Sequence, residues 1–510
     1  MVRWETVSAP PVISLRRRRA ITAGLLLGLS LGALEATVVG TAMPTVIATL
    51  GGLAHYSWVF SAYLLTSTAS VPIWGRLSDL YGRRRMYLVG IIVFLIGSAL
   101  SGASTSMVQL IAARALQGVG AGAIVPLSMT IIGELYTLAE RARTQALFSG
   151  VWGVASIAGP LVGGYVTDAI SWRWVFYLNL PFGLLALLVI ALTYPKRQHT
   201  ATVTVDWLGA ALMFFGVSAL LLAVGGETSA SVAWLVLAGA LLGAFVIVER
   251  RVAEPILPID LLRTPIVART ISVVFLLGMG LFGAIAFIPL FVQVVMGATA
   301  TQAGQVLTPL FMGWVTTSII GARLTVTFGY RRVTVTGTVL LIAGFVGLSF
   351  LTPESMRTTL LGSCFVIGAG MGFSNLSLLL AVQHGVDRSR LGIATSLNQF
   401  ARSIGAALGV AAMGALMTRG LVGMDLPGGI GAISAAGGVA LSGAARVQFA
   451  AALHQVFLAG TAIAAGALVM TAFLPAVDFH RGVTTNAGEE MIAAEMTNLP
   501  PGNEPIAVHD

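Results

Sequence analysis

Gly75-Arg-Leu-Ser-Asp79-Leu-Tyr-Gly82-Arg-Arg-Arg85 returns 247 residues later as Ala322-Arg-Leu-Thr-Val326-Thr-Phe-Gly329-Tyr-Arg-Arg332. Both stretches end a long apolar run, keep a seven-residue spacing from small residue to glycine, and follow the glycine with arginines. A repeat at this distance implies two related halves. A single short loop with arginines could be ordinary charge punctuation between membrane spans. Two copies in register make a duplicated architecture the better reading.

The composition says what is duplicated. Of 510 residues, 56% are apolar and 10% are charged, against about 25% charged in a soluble domain. One span needs ~20 apolar residues, and runs of that kind lie near 20–42, 55–75, 86–104, 108–133, 144–168, 175–194, 207–226, 231–249, 268–291, 303–322, 335–351, 358–382, 392–416 and 451–474. The expectation is an all-α membrane protein of fourteen transmembrane helices. Aligning the repeats sets the first six spans against the last six and leaves the seventh and eighth as an inserted pair. The expected division is 1–19 for the N-terminus, 20–194 for the first six-helix bundle, 195–267 for the inserted pair and its linkers, 268–474 for the second bundle, and 475–510 for the tail. Too little polar sequence remains for a hydrated enzyme domain.

Orientation follows from the 29 basic residues, because arginine-rich loops resist translocation. All but Arg173, Arg357, Arg419, Arg446 and the span residues Arg114 and Arg402 fall on the side of the N-terminus. Both termini are expected in the cytoplasm and the chain in the plasma membrane. The net charge of +9 then reports topology and anionic lipid, not nucleic acid, since no basic patch is interleaved with aromatics. The 476–510 tail reads as disordered, and the 417–450 loop as long and glycine-rich, with Val439–Ala450 able to extend the last helix.

Several chemistries are disfavoured. The lone cysteine, Cys364, can form neither an intrachain disulfide nor a cysteine metal site. The six histidines are scattered without metal-ligand spacing. The only lysine, Lys196, follows no glycine-rich phosphate loop. Gly118, Gly120 and Gly122, like Gly368, Gly370 and Gly372, lie in apolar helical runs, where close helix packing is the favoured reading over a nucleotide loop. No metal, cofactor or enzymatic constellation is expected.

Two charges stand out inside the spans. Glu35 lies about 15 residues, or ~22 Å, into the first helix, and Arg114 enters the fourth from the other side by about six residues, or ~9 Å. In a ~30 Å core both reach the same depth. An uncompensated charge there costs at least ~2.5 kcal/mol, so the two are expected to face the interior and each other or water. A static ion pair is the alternative to a functional one. In the thirteenth span Thr395, Asn398, Gln399 and Arg402 recur at helical spacing, with Asn375 at comparable depth in the twelfth. For Asn375 helix packing and substrate contact weigh equally.

These residues lie in motifs that resemble those of the major facilitator superfamily, most closely its fourteen-span drug:proton antiporters, over nearly the whole chain. Gly75–Arg85 is similar to the loop motif after the second span. Leu110-Ile-Ala-Ala-Arg114-Ala-Leu-Gln117-Gly118-Val-Gly120 resembles the fourth-span motif, and Gly153–Gly164 the fifth-span motif of exporters. Trp172-Arg-Trp174-Val-Phe176-Tyr-Leu-Asn179-Leu-Pro181 resembles the entry to the sixth span. Leu34-Glu35-Ala36-Thr37 resembles the first-span motif with Glu in place of its Asp.

The resemblance implies the major facilitator fold and a proton-coupled, multidrug-type exporter working by alternating access. It implies Glu35 as the proton carrier tuned by Arg114 with Gln117, and Gln117, Asn375, Asn398 and Arg402 around the substrate cavity. It implies gating at Gly75, Asp79, Gly82, Arg83 and Arg84, with Asp79 as a latch in the first half only, since the second copy has Val326. Gly159, Pro160, Gly163 and Gly164 are implied as a further gating element, a bent and closely packed fifth span. The expected partners are a small-molecule substrate, protons and lipid, with the chain a monomer. A lipid or metabolite exporter of the same fold stays open, as does a channel or non-transporting sensor.

Overall fold

The computed structural model describes residues 14–136, 138–195, 206–225, 228–252, 259–352, 355–386, 391–421 and 443–475. The expected tail and most of the 417–450 loop lie outside these residues. Fifteen α-helices run through the described residues and no strand is present among them.

The first half contains α1 (Leu15–Leu50), α2 (Tyr56–Tyr81), α3 (Arg83–Ala103), α4 (Met107–Leu135), α5 (Leu138–Ala169), and a short α6 (Trp174–Tyr177) leading into α7 (Asn179–Thr193). The inserted pair is α8 (Trp207–Gly225) and α9 (Thr228–Glu249). The second half contains α10 (Pro265–Leu290), α11 (Ala300–Phe328), α12 (Tyr330–Ser349), α13 (Arg357–His384), α14 (Leu391–Gly420) and α15 (Gly443–Ala472). A π-helical turn, Phe291–Val295, continues α10.

Local signals set the ends. Ser14 caps α1 by accepting from the Arg17 amide at 3.4 Å, so Arg16–Arg19 form the first turn of the helix instead of preceding it. Twelve segments, counting α6 with α7 as one, are long and apolar enough to cross a membrane among the described residues. The remaining two of the fourteen expected, α2 and α5, have 26 and 32 residues. Polar side chains such as Ser61, Thr66, Thr68 and Ser70 dilute the hydropathy of α2, yet it packs within the same bundle as its neighbours.

The duplication is visible in the packing. In the first half α2 and α3 both pack on α4, α1 packs on α5 and α7, and α3 packs on α7. In the second half α11 and α12 both pack on α13, α10 packs on α14 and α15, and α12 packs on α15. The glycine triplets serve the same purpose in each copy. Gly118 and Gly122 let α4 approach Tyr63, Thr66, Ser67 and Ser70 of α2, while Gly120 lies against Gly90 and Phe94 of α3. Gly372 lies against Trp314 and Thr317 of α11, Gly368 against Leu310 of α11, and Gly370 against Gly337 and Leu341 of α12. Without side chains at these positions the backbones approach closely enough for dispersion and weak polar contacts to hold the helices.

The repeated motif is helical, not a loop. Gly75–Tyr81 finishes α2 and the arginines begin α3, leaving Gly82 alone to reverse the chain at φ 90° and ψ 140°. Gly329 does the same between α11 and α12 at φ 79° and ψ 152°. That region of backbone space is essentially closed to residues with a Cβ.

The halves meet along two seams, α5 with α11 and α2 with α14, and α8 lies over the second seam, touching both of its helices. At the face where α1 ends, the apolar core is continuous across the halves, from Val38–Ile47 and Tyr56 to Ala284–Val295 and Leu307. Toward the face where α1 begins, which carries Arg16–Arg19 and Arg83–Arg85, it divides. One cluster there, from Ile21 to Leu31 with Trp74, Met86 and Ile131, belongs wholly to the first half. Another, Leu261, Val267 and Leu397, belongs to the second. Hydrogen bonds between halves gather at the first of these faces: Tyr56 to the Ala286 carbonyl, Ser61 to the Ala407 carbonyl at 3.1 Å, and Gln293 to the Thr41 carbonyl at 2.8 Å.

Candidate proton-coupling and substrate site

Glu35 and Arg114 do meet. The Arg114 Nη1 group donates to Glu35 Oε1, and the two residues are 3% and 2% exposed. Glu35 Oε2 accepts from Gln117 Nε2 at 2.8 Å and from Asn179 Nδ2 at 2.8 Å. Arg114 also donates to Gln117 Oε1 at 2.6 Å and to the Val59 carbonyl at 3.3 Å. Its guanidinium carbon lies 4.2 Å from the centre of the Tyr63 ring, a cation–π geometry. Ser98 completes the network, accepting from Gln117 at 3.2 Å and from Asn179 at 3.0 Å while donating to the Phe176 carbonyl at 2.8 Å.

Each helix is brought to this point for a local reason. Gly97 leaves room for the Gln117 backbone, which draws α3 onto α4 and carries Ser98 to the amide. Gly118 draws α4 onto α2, which sets Arg114 under Val59 and Tyr63. The short α6 turn delivers Asn179 as the first residue of α7. A buried ion pair is held in hydrocarbon only when its remaining lone pairs and protons are also met, and here two amides, a carbonyl and an aromatic face meet them.

Gln117, expected both beside Arg114 as a partner of Glu35 and on the wall of a substrate cavity, is fully buried inside this network. Its place on α4 one turn after Arg114 makes it a ligand of the ion pair. Asn179 and Ser98 are the members that the sequence reading did not assign to the site. Asn179 was visible only as part of a motif, and Ser98 as an ordinary small residue in an apolar run.

In the second half Arg402 donates to Asn375 Oδ1 at 2.6 Å and to Gln399 Oε1. Its partners are neutral, and it is partly exposed. Thr395 accepts from Gln383 at 3.1 Å. Asn398 is 4% exposed with no hydrogen-bond partner for its Nδ2 atom among the described residues, whereas Gln399, one residue on, is exposed. The expected polar stripe of α14 therefore divides between the exposed Gln399 with the half-buried Arg402 and the buried amide of Asn398.

Of the motif residues at the basic face, Arg83 donates to Glu134 of α4 at 3.1 Å and to Ser78, and Arg84 to the Ala191 carbonyl of α7. These bonds tie helices of one half together. Gly75 has open space beside it, and the Asp79 side chain lies outside the described residues. In α5, Gly159 and Gly163 lie against Thr37, Val38 and Thr41 of α1, Gly164 lies against Ala300 and Thr301 of α11, and the Pro160 carbonyl lies against Gly304 of α11. The fifth helix is thus the element on which both halves bear. No cluster of three or more metal-binding side chains occurs among the described residues.

A duplicated helical bundle with buried charged and amide side chains partway along its helices is the architecture of a secondary transporter. Comparison with known families agrees: the family model described as Major Facilitator Superfamily matches residues 25–410. The chain belongs to the Major Facilitator Superfamily, a family of membrane transporters. It is similar to the multidrug transporter protein MdtP of Bacillus subtilis (strain 168), 40% identical over 79% of this chain and 75% of that protein. It is also similar to multidrug resistance protein 3 of the same organism, 38% identical over 78% of this chain and 79% of that one. Among solved structures, a bacterial homolog of the human lysosomal transporter Spinster, in an inward-facing, unoccupied conformation, superposes with a TM-score of 0.65. That match is 17% identical and covers 90% of this chain and 97% of that one. The D-xylose-proton symporter superposes with a TM-score of 0.62 at 14% identity, covering 90% and 98%. At these identities the likeness is one of fold.

Proposed function

We propose that the chain is a proton-coupled exporter of amphipathic or cationic small molecules, a multidrug-type antiporter of the plasma membrane. The names of its curated relatives support the efflux reading, and the buried Glu35 network carries the proton-coupling reading. Both termini then lie in the cytoplasm, the divided core faces inward, and the continuous core closes the outer face. Residues 20–194 and 268–474 act as two rocking units with 195–267 inserted between them. The chain works as a monomer.

Glu35 is the proton carrier. In the state described here it accepts three hydrogen bonds and donates none, which suits a carboxylate. A proton on either oxygen replaces an acceptor with a donor and cancels the charge that Arg114 pairs with, so the network must rearrange. Arg114, Gln117 and Asn179 set how readily that happens. Arg402, Asn375 and Asn398 form the facing wall, with cargo between them and the first half. A bundle of two halves pivoting about this level couples the two events.

The energetics suffice without ATP. One proton moving down 100 mV supplies about 2.3 kcal/mol, and one pH unit about 1.4 kcal/mol more. Together they concentrate a neutral solute a few hundred-fold. For a monocation exchanged one for one, only the pH component remains. The seam at α2 and α14, covered by α8, weighs against the lateral entry that a lipid exporter of this fold would need.

The test is uptake of a fluorescent organic cation into proteoliposomes under an imposed pH gradient. Wild type accumulates the dye only with the gradient, and Glu35→Gln loses the gradient-driven component while still binding dye. Accumulation that ignores the gradient, or is unchanged by Glu35→Gln, removes the assignment. Flux that only follows the dye's own gradient, with no proton counterflow, indicates a channel instead.

A further inference from the structure

The end of α5 meets the beginning of α11, so the last turn of one half's helix faces the first turn of the other's. The approach is close because Gly164 has no side chain: a Cβ there would lie 2.6 Å from Thr301 Cα and closer still to the Ala300 carbonyl. One turn further on, Asp168 reaches across the seam. Its Oδ1 atom accepts from the Ala300 amide at 3.1 Å, and its Oδ2 atom accepts from the Thr301 amide at 2.7 Å and from the Thr301 hydroxyl.

The carboxylate is not needed to start α11. Thr299 and Gln302 close a reciprocal capping box within that helix, and the Ala303 amide already bonds to the Thr299 carbonyl at 3.0 Å. A helix start leaves its first amides without intrahelical partners. After the capping box is made, the two left over are those of Ala300 and Thr301, the pair that Asp168 takes. We infer that Asp168 is a latch residue of the transport cycle: its carboxylate caps α11 from the other half and holds the α5–α11 seam closed at this face.

The chemistry of this contact suits a bond that must break in every cycle. The other bonds across this face, from Tyr56, Ser61 and Gln293, join neutral groups that are buried. Asp168 is charged and exposed. A carboxylate on helix-start amides is held more strongly than a neutral acceptor, because the bonds are charge-assisted and the helix dipole adds to them. When the seam parts, water reaches the carboxylate and both amides at once, so no polar group is stranded. The strength of an exposed charge contact also falls with ionic strength.

The proposal goes beyond the exporter reading and needs neither cargo nor a pH gradient to be tested. Spin labels at Val108→Cys in the first half and Phe350→Cys in the second, on a Cys364→Ser background, report opening of this face through their separation. Both sites are strongly exposed, at 69% and 77%. In the substrate-free protein the Asp168→Asn substitution raises the ratio of open to closed populations by about tenfold or more, the scale of a charge-assisted bond. Thr301→Val, which removes only the hydroxyl, moves it the same way by less. The double variant opens no further than Asp168→Asn plus a small increment, because both changes act on one contact. Raising the salt concentration opens wild type and leaves Asp168→Asn nearly unmoved. An unchanged distance distribution in Asp168→Asn overturns the latch, as do fully additive effects of the two substitutions. Should Asp168→Asn fail to fold, Thr301→Val and the salt series decide: no shift in either overturns it. A transporter that proves uncoupled from protons would still show these shifts, so the latch and the exporter reading fail separately.

Discussion

The two halves agree in backbone and differ in their buried polar groups. The glycine triplets of α4 and α13 sit at matching places and make matching helix contacts, and Gly82 and Gly329 turn the chain in nearly the same conformation. Yet four residues before the first glycine the first half has Arg114 and the second has Cys364, and one residue before it Gln117 is matched by Ile367. All four are buried. The second half fills with a thiol and an aliphatic chain the slot where the first holds a guanidinium and an amide. Its own arginine, Arg402, comes from another helix and rests on neutral amides. Close packing constrains every helix contact and so is copied, whereas a buried ion pair demands a full set of partners and is built once.

The sharpest way to break this comparison is to empty the first-half slot of one charge. Glu35→Ala leaves Arg114 buried without its counter-charge and should cost about 3–5 kcal/mol of stability, read as a lowered midpoint of thermal unfolding in detergent. Adding Arg114→Met, which makes the slot apolar as in the second half, should restore most of the loss. The matched Cys364→Ala change should cost under about 2 kcal/mol. If Glu35→Ala were as mild as Cys364→Ala, the pair would not be holding the first half together.

The next effect tests what the halves share. Gly82→Ala and Gly329→Ala each force a Cβ into a backbone region that costs about 1–3 kcal/mol. The two losses should be equal within error when unfolding is followed for each variant, and a large inequality would show that the repeats are alike in shape but not in strain. The smallest effect concerns the second-half arginine. Arg402→Gln removes a charge whose partners are neutral, so stability should move by less than about 1.5 kcal/mol. Dye competition should instead shift the relative affinities of cationic and neutral ligands by about tenfold or less, with cations favoured once the guanidinium is gone. Unaltered relative affinities would remove Arg402 from the cargo wall.

Much of the architecture could be read before any coordinates. The repeat at Gly75 and Ala322 announced the two halves, and the depth arithmetic for Glu35 and Arg114 put them face to face, because charge in hydrocarbon has few permissible destinations. What escaped reading depends on neutral groups. Asn179 and Ser98 carry no charge penalty large enough to mark them, and either could have served as an ordinary helix-to-helix bond. Gln117 could be placed both beside Arg114 and on an open wall, because spacing along α4 tells which face a residue is on, not whether another helix covers that face. The helical character of the Gly75–Tyr81 motif was hidden for a similar reason: one glycine can turn the chain where a longer connection was expected. An acidic residue at a helix end, as Asp168 is, gives no sign of a contact between halves until its partners across the seam are known.

The added pair α8 and α9 gives the two seams different mechanical characters. Along α2 and α14, α8 contributes Met213, Val217 and Leu221 against Leu65, Ala69, Ile404, Ala407 and Leu408, a surface of hydrocarbon laid beside the neutral bond from Ser61 to the Ala407 carbonyl. Apolar packing is non-directional, so this cover tolerates small shifts as a gasket does, while the glycine-lined seam of α5 and α11 must keep its register or part. In the proposed rocking cycle, motion of the halves is then guided: one edge bears like a knuckle, and the other shears beneath a greased cover.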